Sequence, residues 1–409
     1  MHVDYKLRDK LDLGLIIPAL LLFCFGLAAI YSSTVHHPTA SGNFLRQLVF
    51  GVGAFFVFGI TYFLPTNLFK SISLPAYGIS LFLLIIVLVI GRRTSGAKSW
   101  IDAGFFGFQP SEFAKVGTIM VLASYLSKGN VNLERLKDVI FALIIGMIPV
   151  GLIMLEPDMG TSFVFLAMIL ALIFWSGISM FSLFVVLSPG FVAAASLFGF
   201  YYLLASILLV AAGLFFFKKN IIFSLSILAL NLGAGFFTDF VYNALSPHQQ
   251  KRIQSFVDPM ADPLGSGYNA IQAKVAIGSG GFFGKGFLHG NQTQLQYIPE
   301  QWTDFIFCVI GEEFGFIGSV IVLSLFLYMF IRIFKIATST KDNYLSLVLI
   351  GILSVFFAHL LINIGMVLGV MPVIGIPLPF VSYGGSSLVV NMFMLGIAAN
   401  IYRTRKNYT

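Results

Sequence analysis

The sequence predicts an all-α, polytopic membrane protein of about twelve transmembrane helices, with ten as the alternative count. Three observations carry that expectation. Of 409 residues, 58% are hydrophobic and only 10% charged, and the mean hydropathy is +0.93, so the chain holds more apolar surface than a soluble core of this size can hide. Apolar runs of about 17 to 25 residues recur throughout, each long enough as a helix to cross roughly 30 Å of hydrocarbon with its own backbone groups paired. The basic residues fall mainly in alternate loops, the pattern of a chain threaded with its positive loops inside.

The first run, Leu13 to Tyr31, follows Lys6, Arg8 and Lys10; it exceeds the apolar core of a cleaved signal and is expected to be retained as a span. Further spans are expected at Gln47 to Leu64, Leu74 to Ile90, Ser111 to Ser127, Val139 to Leu155 and Thr161 to Gly177. Near the C-terminus they are expected at Asp304 to Phe334, Leu345 to Met371 and Val381 to Tyr402, the first of these long or tilted. Residues 180–245 are the ambiguous stretch. Pro189, Tyr201 with Tyr202, and Lys218-Lys219-Asn220 divide it into three spans, an extra helical pair relative to one crossing. One or three crossings leave all later loops on the same side. The whole chain, 1–409, reads as one transmembrane domain, with 246–303 as a large extracytoplasmic loop far beyond ordinary connection lengths.

A cytoplasmic N-terminus puts about fifteen of the 24 basic residues inside, including Lys70, Lys128, Arg135, Lys137, Arg332, Lys335, Lys341 and the Arg403/Arg405/Lys406 tail. The outer remainder, among them Arg92, Arg93, Lys98, Lys251, Arg252, Lys274 and Lys285, asks for an anionic partner. The net charge of +7 is scattered among short loops without a basic-aromatic domain, which argues against nucleic acid. Cys24 and Cys308 both lie in apolar segments, and the six histidines form no zinc-binding pattern.

Four polar islands are expected to meet the outer surface. In the first, Gly96 to Asp102 running on to Gln109–Lys115, Ser111 is placed to cap a helix, and Glu112 and Lys115 stand three apart on one face just inside the membrane. They read either as a cap and a structural ion pair or, since ionisable residues at that depth usually face a pathway, as a site; the lysine suits a phosphate. The second, Glu156-Pro-Asp158, is either a plain turn or a pair of acids orienting basic groups or a divalent ion. The third is the long loop ending at Asp304, beneath an aromatic-polar rim that includes Trp302. There Asp304 is either a helix-start acid or a general base. Glu312 and Glu313 farther along need polar partners in the bundle. Gly278 to Gly286, with Lys285 inside it, fails as a phosphate loop and reads as a flexible lid, a saccharide-binding wall or an inert turn. The fourth island runs from Met371 to Gly385 and includes Ser382. It breaks and restarts a helix with small residues, for packing or for lining a substrate path.

Gly96-Ala-Lys-Ser-Trp100, Phe108-Gln-Pro-Ser-Glu112 with Lys115, Glu156 to Thr161, Asp258-Pro, Ala276 to Gly281, Thr303 to Phe307 with Gly311 to Glu313, and Pro379 to Gly385 together resemble the SEDS family (shape, elongation, division, sporulation). The order of these motifs matches over nearly the whole chain. Gly286 to Gln294 is closer to the elongation (RodA-like) branch than to the division (FtsW-like) branch, and the apparent extra pair within 180–245 departs from the family's common count of about ten spans.

The resemblance implies a peptidoglycan glycosyltransferase that polymerises lipid II at the outer face of the bacterial cytoplasmic membrane. The GlcNAc 4-hydroxyl attacks the MurNAc anomeric carbon of the undecaprenyl-linked glycan strand, and undecaprenyl pyrophosphate leaves. It assigns Asp304 as general base, Lys115 and Lys98 (helped by Arg92 or Arg93) as cations offsetting pyrophosphate charge, and Glu112 and Glu156 as groups that position them. Asp158, Trp302, Lys285 and Ser382 are the further candidates for contact with substrate. It also implies a class B penicillin-binding protein as transpeptidase partner and membership of the elongation machinery; some members of the family use a divalent cation, Mg2+ or Mn2+, and others none, and this sequence offers no ligand constellation for one. The rival expectations are a flippase for the same lipid, which needs polar residues through the full membrane depth, and a scaffold, which tolerates loss of Asp304.

Overall fold

A computed structural model describes residues 11–94, 97–102, 104, 107–217, 221–244, 247–257 and 267–405. Lys6, Arg8, Lys10, Gly96, Lys218, Lys219, Asp258 and Lys406, all used above, lie outside the described residues, as do the side chains of Arg93 and Arg252.

The chain is a bundle of helices: α1 (Leu13–Thr34), α2 (Asn43–Phe63), the short α3 (Thr66–Ser71) and α4 (Ser73–Ile90) come first. A small sheet follows, formed by β1 (Arg92–Thr94), β2 (Ala97–Asp102) and β3 (Gly107–Phe108). Next are α5 (Pro110–Leu126), α6 (Leu136–Leu155), α7 (Met159–Trp175), α8 (Met180–Ser196), α9 (Phe200–Phe217) and α10 (Ile221–Ala244). The long loop carries α11 (Pro247–Val257), α12 (Tyr268–Gly280) and the four-residue α13 (Asn291–Gln294), before α14 (Ile306–Ser339), α15 (Asn343–Val367) and α16 (Gly385–Thr404). Among the described residues nine helices are long and apolar enough to cross a membrane, and α7 and α8 are shorter apolar helices of 17 residues each. The 180–245 stretch holds three helices, but Pro189 lies inside α8 and Tyr201 and Tyr202 lie inside α9, so α8 and α9 part at 197–199 instead, while the expected division at Lys218-Lys219-Asn220 falls outside the described residues.

Aspartates set several helix starts. Asp12, Asp158 and Asp342 accept backbone N–H groups at the N-termini of α1, α7 and α15, satisfying donors that no helix can pair internally. The expected cap at Ser111 is not made: α5 begins one residue earlier with Pro110 in its first turn, where a missing N–H costs nothing, and the Ser111 hydroxyl is buried without a partner among the described residues.

The central helices are α15 and α16, whose most apolar windows are 72% and 78% buried inside the protein, against 17% for α9. That contrast separates the core from a satellite. Helices α8 to α10 enclose their own apolar centre of Val192, Leu203, Val210, Leu214 and Ile227, with the Asn231 amide donating to the Ser188 hydroxyl at 3.0 Å inside it.

Two local features bear on the site. Strands β1, β2 and β3 form a three-stranded antiparallel sheet, with Arg92 opposite Trp100 and Ile101 opposite Phe108, in a chain expected to be wholly helical. The glycine-rich stretch, expected as a lid, a saccharide-binding wall or a turn, is seated as a turn against α14. Helix α14 breaks at Gly315 (φ 65°, ψ −158°), and the glycine turn fills the break. Lys285 and Gly286 donate to the Glu312 and Glu313 carbonyls, while Phe316 and Ile317 donate back to Gly281 and Phe282. The two main chains touch, which only residues without a Cβ permit. A Cβ on Gly284 (φ +82°) would lie 2.1 Å from the Glu313 carbonyl oxygen. Gly284→Ala is therefore expected to cost more than about 2 kcal/mol through combined backbone strain and overlap, read as a lowered unfolding temperature in detergent.

The helix ends sort onto two faces. On one, Arg332 pairs with Asp12 at 2.6 Å, Trp175 Nε1 donates to Ser346, which donates to the Ala337 carbonyl, and Asn400 donates to carbonyls of Thr61, Tyr62 and Leu64. Lys70 lies over the Tyr344 ring and Arg403 over Tyr62 on this face. The opposite face carries the four polar islands.

Candidate active site

The islands meet through specific bonds. The Lys98 backbone N–H donates to the Glu156 carbonyl at 3.0 Å, and Gln109 reaches from the start of α5 to the Asp158 carboxylate at 3.4 Å, joining the first two. The Gln109 backbone N–H donates to Ser386 on α16 at 3.3 Å, joining the first to the fourth. The third and fourth are clasped most firmly. Tyr383 N–H donates to the Trp302 carbonyl at 2.9 Å, and the Ser382 hydroxyl donates to the Thr303 carbonyl at 2.7 Å while accepting from Leu378 N–H at 2.8 Å.

Asp304 stands at this clasp, partly buried, two residues before α14. The N-cap position of α14 is Phe305, so Asp304 is not its cap. Its main-chain carbonyl accepts from Asn363 of α15 at 2.8 Å. Its carboxylate faces Gly375: a Cβ there would come within 2.9 Å of Oδ2, and Gly375 has φ +79°, a backbone conformation that favours glycine.

Lys115 lies deeper, fully buried, with its ammonium 2.8 Å from Glu112 Oε1 and 2.9 Å from His359 Nε2. His359 Nδ1 is 3.0 Å from the Pro377 carbonyl oxygen. A carbonyl only accepts, so Nδ1 carries the hydrogen and Nε2 accepts from the lysine. Two of the three ammonium N–H groups are thereby assigned. Glu112 Oε2 is buried without a partner among the described residues.

The other candidates make contacts of their own. The Lys98 ammonium donates to the Leu88 and Val89 carbonyls at 2.7 and 2.8 Å, closing the C-terminus of α4. Lys285 pairs with Glu312 at 2.9 Å, in a cage that also presents Gln292 N–H, Thr293 N–H and the Thr293 hydroxyl to that carboxylate. Glu313 accepts from Ser32 and Gln294 through Oε1, while its Oε2 is buried without a partner among the described residues. Arg92 forms an exposed pair with Asp102, of little energetic weight. Asp158 accepts from Thr161 through both oxygens and caps α7. Trp302 packs edge-on against His37, ring centroids 4.8 Å apart.

Glu156 differs from all of these. It is fully buried in the turn between α6 and α7, and neither carboxylate oxygen has a partner among the described residues. Burial, with a smaller contribution from the negative charge of Asp158, pushes its pKa up to about 8. Between its unfolded value near 4.5 and that folded value the native protein binds more protons than the unfolded chain, so stability declines as pH rises across the window. Glu156→Gln removes this titration; its unfolding temperature is expected to gain on the parent's steadily from about pH 5 to about pH 8, in matched detergent scans.

Among the described residues no cluster of three or more His, Cys, Asp or Glu side chains is arranged to hold a metal ion. Three residues that matter here were not singled out from the sequence. His359 and Asn363 interrupt the apolar α15, a detectable signal at membrane depth, whereas Gln47, which grips Ser382 O and Gly384 N–H with its amide, sits near a helix start where polar residues are ordinary.

A multi-helix membrane bundle with ionisable groups gathered at one polar rim is the architecture of an integral-membrane protein acting on a substrate presented at the bilayer surface. The chain belongs to the FTSW_RODA_SPOVE family of cell cycle proteins, whose model matches residues 13–210 and 198–407. It is 34% identical to peptidoglycan glycosyltransferase RodA of Treponema pallidum, over 95% of this chain and 97% of that one. It is also 34% identical to peptidoglycan glycosyltransferase MrdB of Escherichia coli K12, over 84% and 81%. A solved chain from work on a peptidoglycan synthase complex that coordinates polymerization and crosslinking superposes with a TM-score of 0.73 at 28% identity, covering 98% of this chain and 99% of its own.

Proposed function

We propose that this protein is a peptidoglycan glycosyltransferase of the elongation type, polymerising lipid II into glycan strands with release of undecaprenyl pyrophosphate. The observation that carries the reading is the placement of Asp304. Asp304, a partly buried residue, stands at the clasp of two polar islands, and one short backbone segment, Ile376–Pro377, separates the partners of its main chain from those of the buried Lys115.

In this reading Asp304 accepts the proton of the acceptor sugar's 4-hydroxyl as its oxygen bonds to the anomeric carbon of the strand, and the bond from that carbon to the pyrophosphate oxygen breaks. Lys115, its charge fixed by Glu112 and shielded from water, offsets negative charge developing on the leaving group. Ser382 holds the rim together rather than touching substrate. A divalent cation accompanying the pyrophosphate would add to the charge offset, and no step above depends on it.

The basic residues at the face opposite the rim favour a cytoplasmic location for that face and an outer location for the site. A class B penicillin-binding protein is the proposed partner, supported by the synthase complex to which this fold is similar. Purified protein in liposomes, supplied with lipid II and its penicillin-binding partner, is expected to yield polymeric glycan. Movement of intact lipid II across the bilayer without polymer would overturn the reading.

A further inference from the structure

Residues 370–379 have no helical or strand pairing of their own, and Pro372, Pro377 and Pro379 supply no N–H. Carbonyl groups buried there need donors from elsewhere. Two come from one face of α15, four residues apart: Asn363 Nδ2 donates to the Ile376 carbonyl at 2.7 Å, and His359 Nδ1 to the Pro377 carbonyl at 3.0 Å. Each also reaches a residue of the proposed chemistry. The same Asn363 amide nitrogen donates to the Asp304 carbonyl at 2.8 Å, and His359 Nε2 accepts from Lys115 at 2.9 Å. His359 and Asn363 are 3% and 0% exposed, so water does not compete for these bonds. The preceding residue, Gly375, abuts the Asp304 carboxylate; a shift of the segment moves the wall against which the carboxylate rests.

We infer that His359 and Asn363 are positioning residues that set the Asp304 carboxylate and the Lys115 ammonium in fixed relation through the Ile376–Pro377 segment. The inference rests on the polymerase reading given above. It assigns Asn363 a task that needs two N–H donors on one nitrogen: leucine fills the volume with no donor, and aspartate sets a charge against two carbonyl oxygens. Misplacement of catalytic groups by about 1 Å costs on the order of 100-fold in rate.

The test compares the parent with Asn363→Leu, His359→Leu and His359→Gln, as full-length protein with its partner, on purified lipid II. The expected result is a kcat lowered about 10- to 100-fold for both leucine variants with KM within about threefold. His359→Gln, which keeps an amide donor and acceptor, is expected to recover to within about fivefold of the parent. Unfolding temperatures measured alongside separate positioning from loss of fold. Should a leucine variant fail to fold, Asn363→Ser, which reaches at most part of the same carbonyl pair, is read in its place and is expected to lower kcat with a nearly unchanged unfolding temperature. Parental kcat in a folded Leu or Ser variant, or a loss confined to KM, overturns the inference. An inactive parent overturns the polymerase reading instead.

Discussion

Asp304→Asn is expected to abolish glycan synthesis while leaving a folded protein that still binds its partner. The substitution preserves shape, which matters because the side chain lies beside Gly375. It also preserves the main-chain carbonyl that Asn363 holds at 2.8 Å. What it removes is an oxygen able to take a proton. Loss of a positioned general base lowers turnover by about 10² to 10⁴, so polymer from purified lipid II should fall below detection in a gel assay while the unfolding temperature moves little. A variant yielding glycan at the parental rate would remove Asp304 from the chemistry.

The second large effect concerns stability and activity together. Lys115→Met leaves the Glu112 carboxylate buried, deprived of its ion pair, with its other oxygen already lacking a partner among the described residues. Breaking one side of such a pair costs about 3 to 5 kcal/mol, whereas replacing both sides by neutral groups is often close to neutral. The expectation is therefore a sharp loss of thermal stability in Lys115→Met and its substantial recovery in Lys115→Met/Glu112→Gln. Neither variant should make polymer, since neither retains the cation. The double variant separates the structural role of the pair from its electrostatic one. Equal unfolding temperatures for the single and double variants would show that Glu112 does not depend on Lys115 for its burial.

The spans were legible because their signal, uninterrupted apolar length, survives any detail of packing; α1, α2, α4 and α6 fall within a few residues of their expected limits. The Glu112–Lys115 pair was legible for a related reason, since a three-residue spacing places two side chains on one helical face whatever surrounds them. Other features depended on elements remote in sequence. The ammonium of Lys98 finds carbonyls that exist only because α4 ends beside β2. Lys285 is bound to Glu312, 27 positions away, and no local pattern announces that cage. The sheet at 92–108 escaped notice because its strands are only two to six residues long, too short for alternation to stand out from an ordinary polar loop. His359 and Asn363 were hidden in plain view, two polar letters within a run read for its hydrophobicity.

The seam between the glycine turn and the break in α14 has a consequence for how this protein can vary. Contacts between side chains can drift, because a larger residue on one partner is accommodated by a smaller one on the other. Where Gly280 lies against the Gly311 carbonyl and Gly284 against that of Glu313, neither surface has anything left to trim. Compensation is closed off, and the vertical register between the long loop and its transmembrane anchor is inherited as a fixed dimension of the polypeptide.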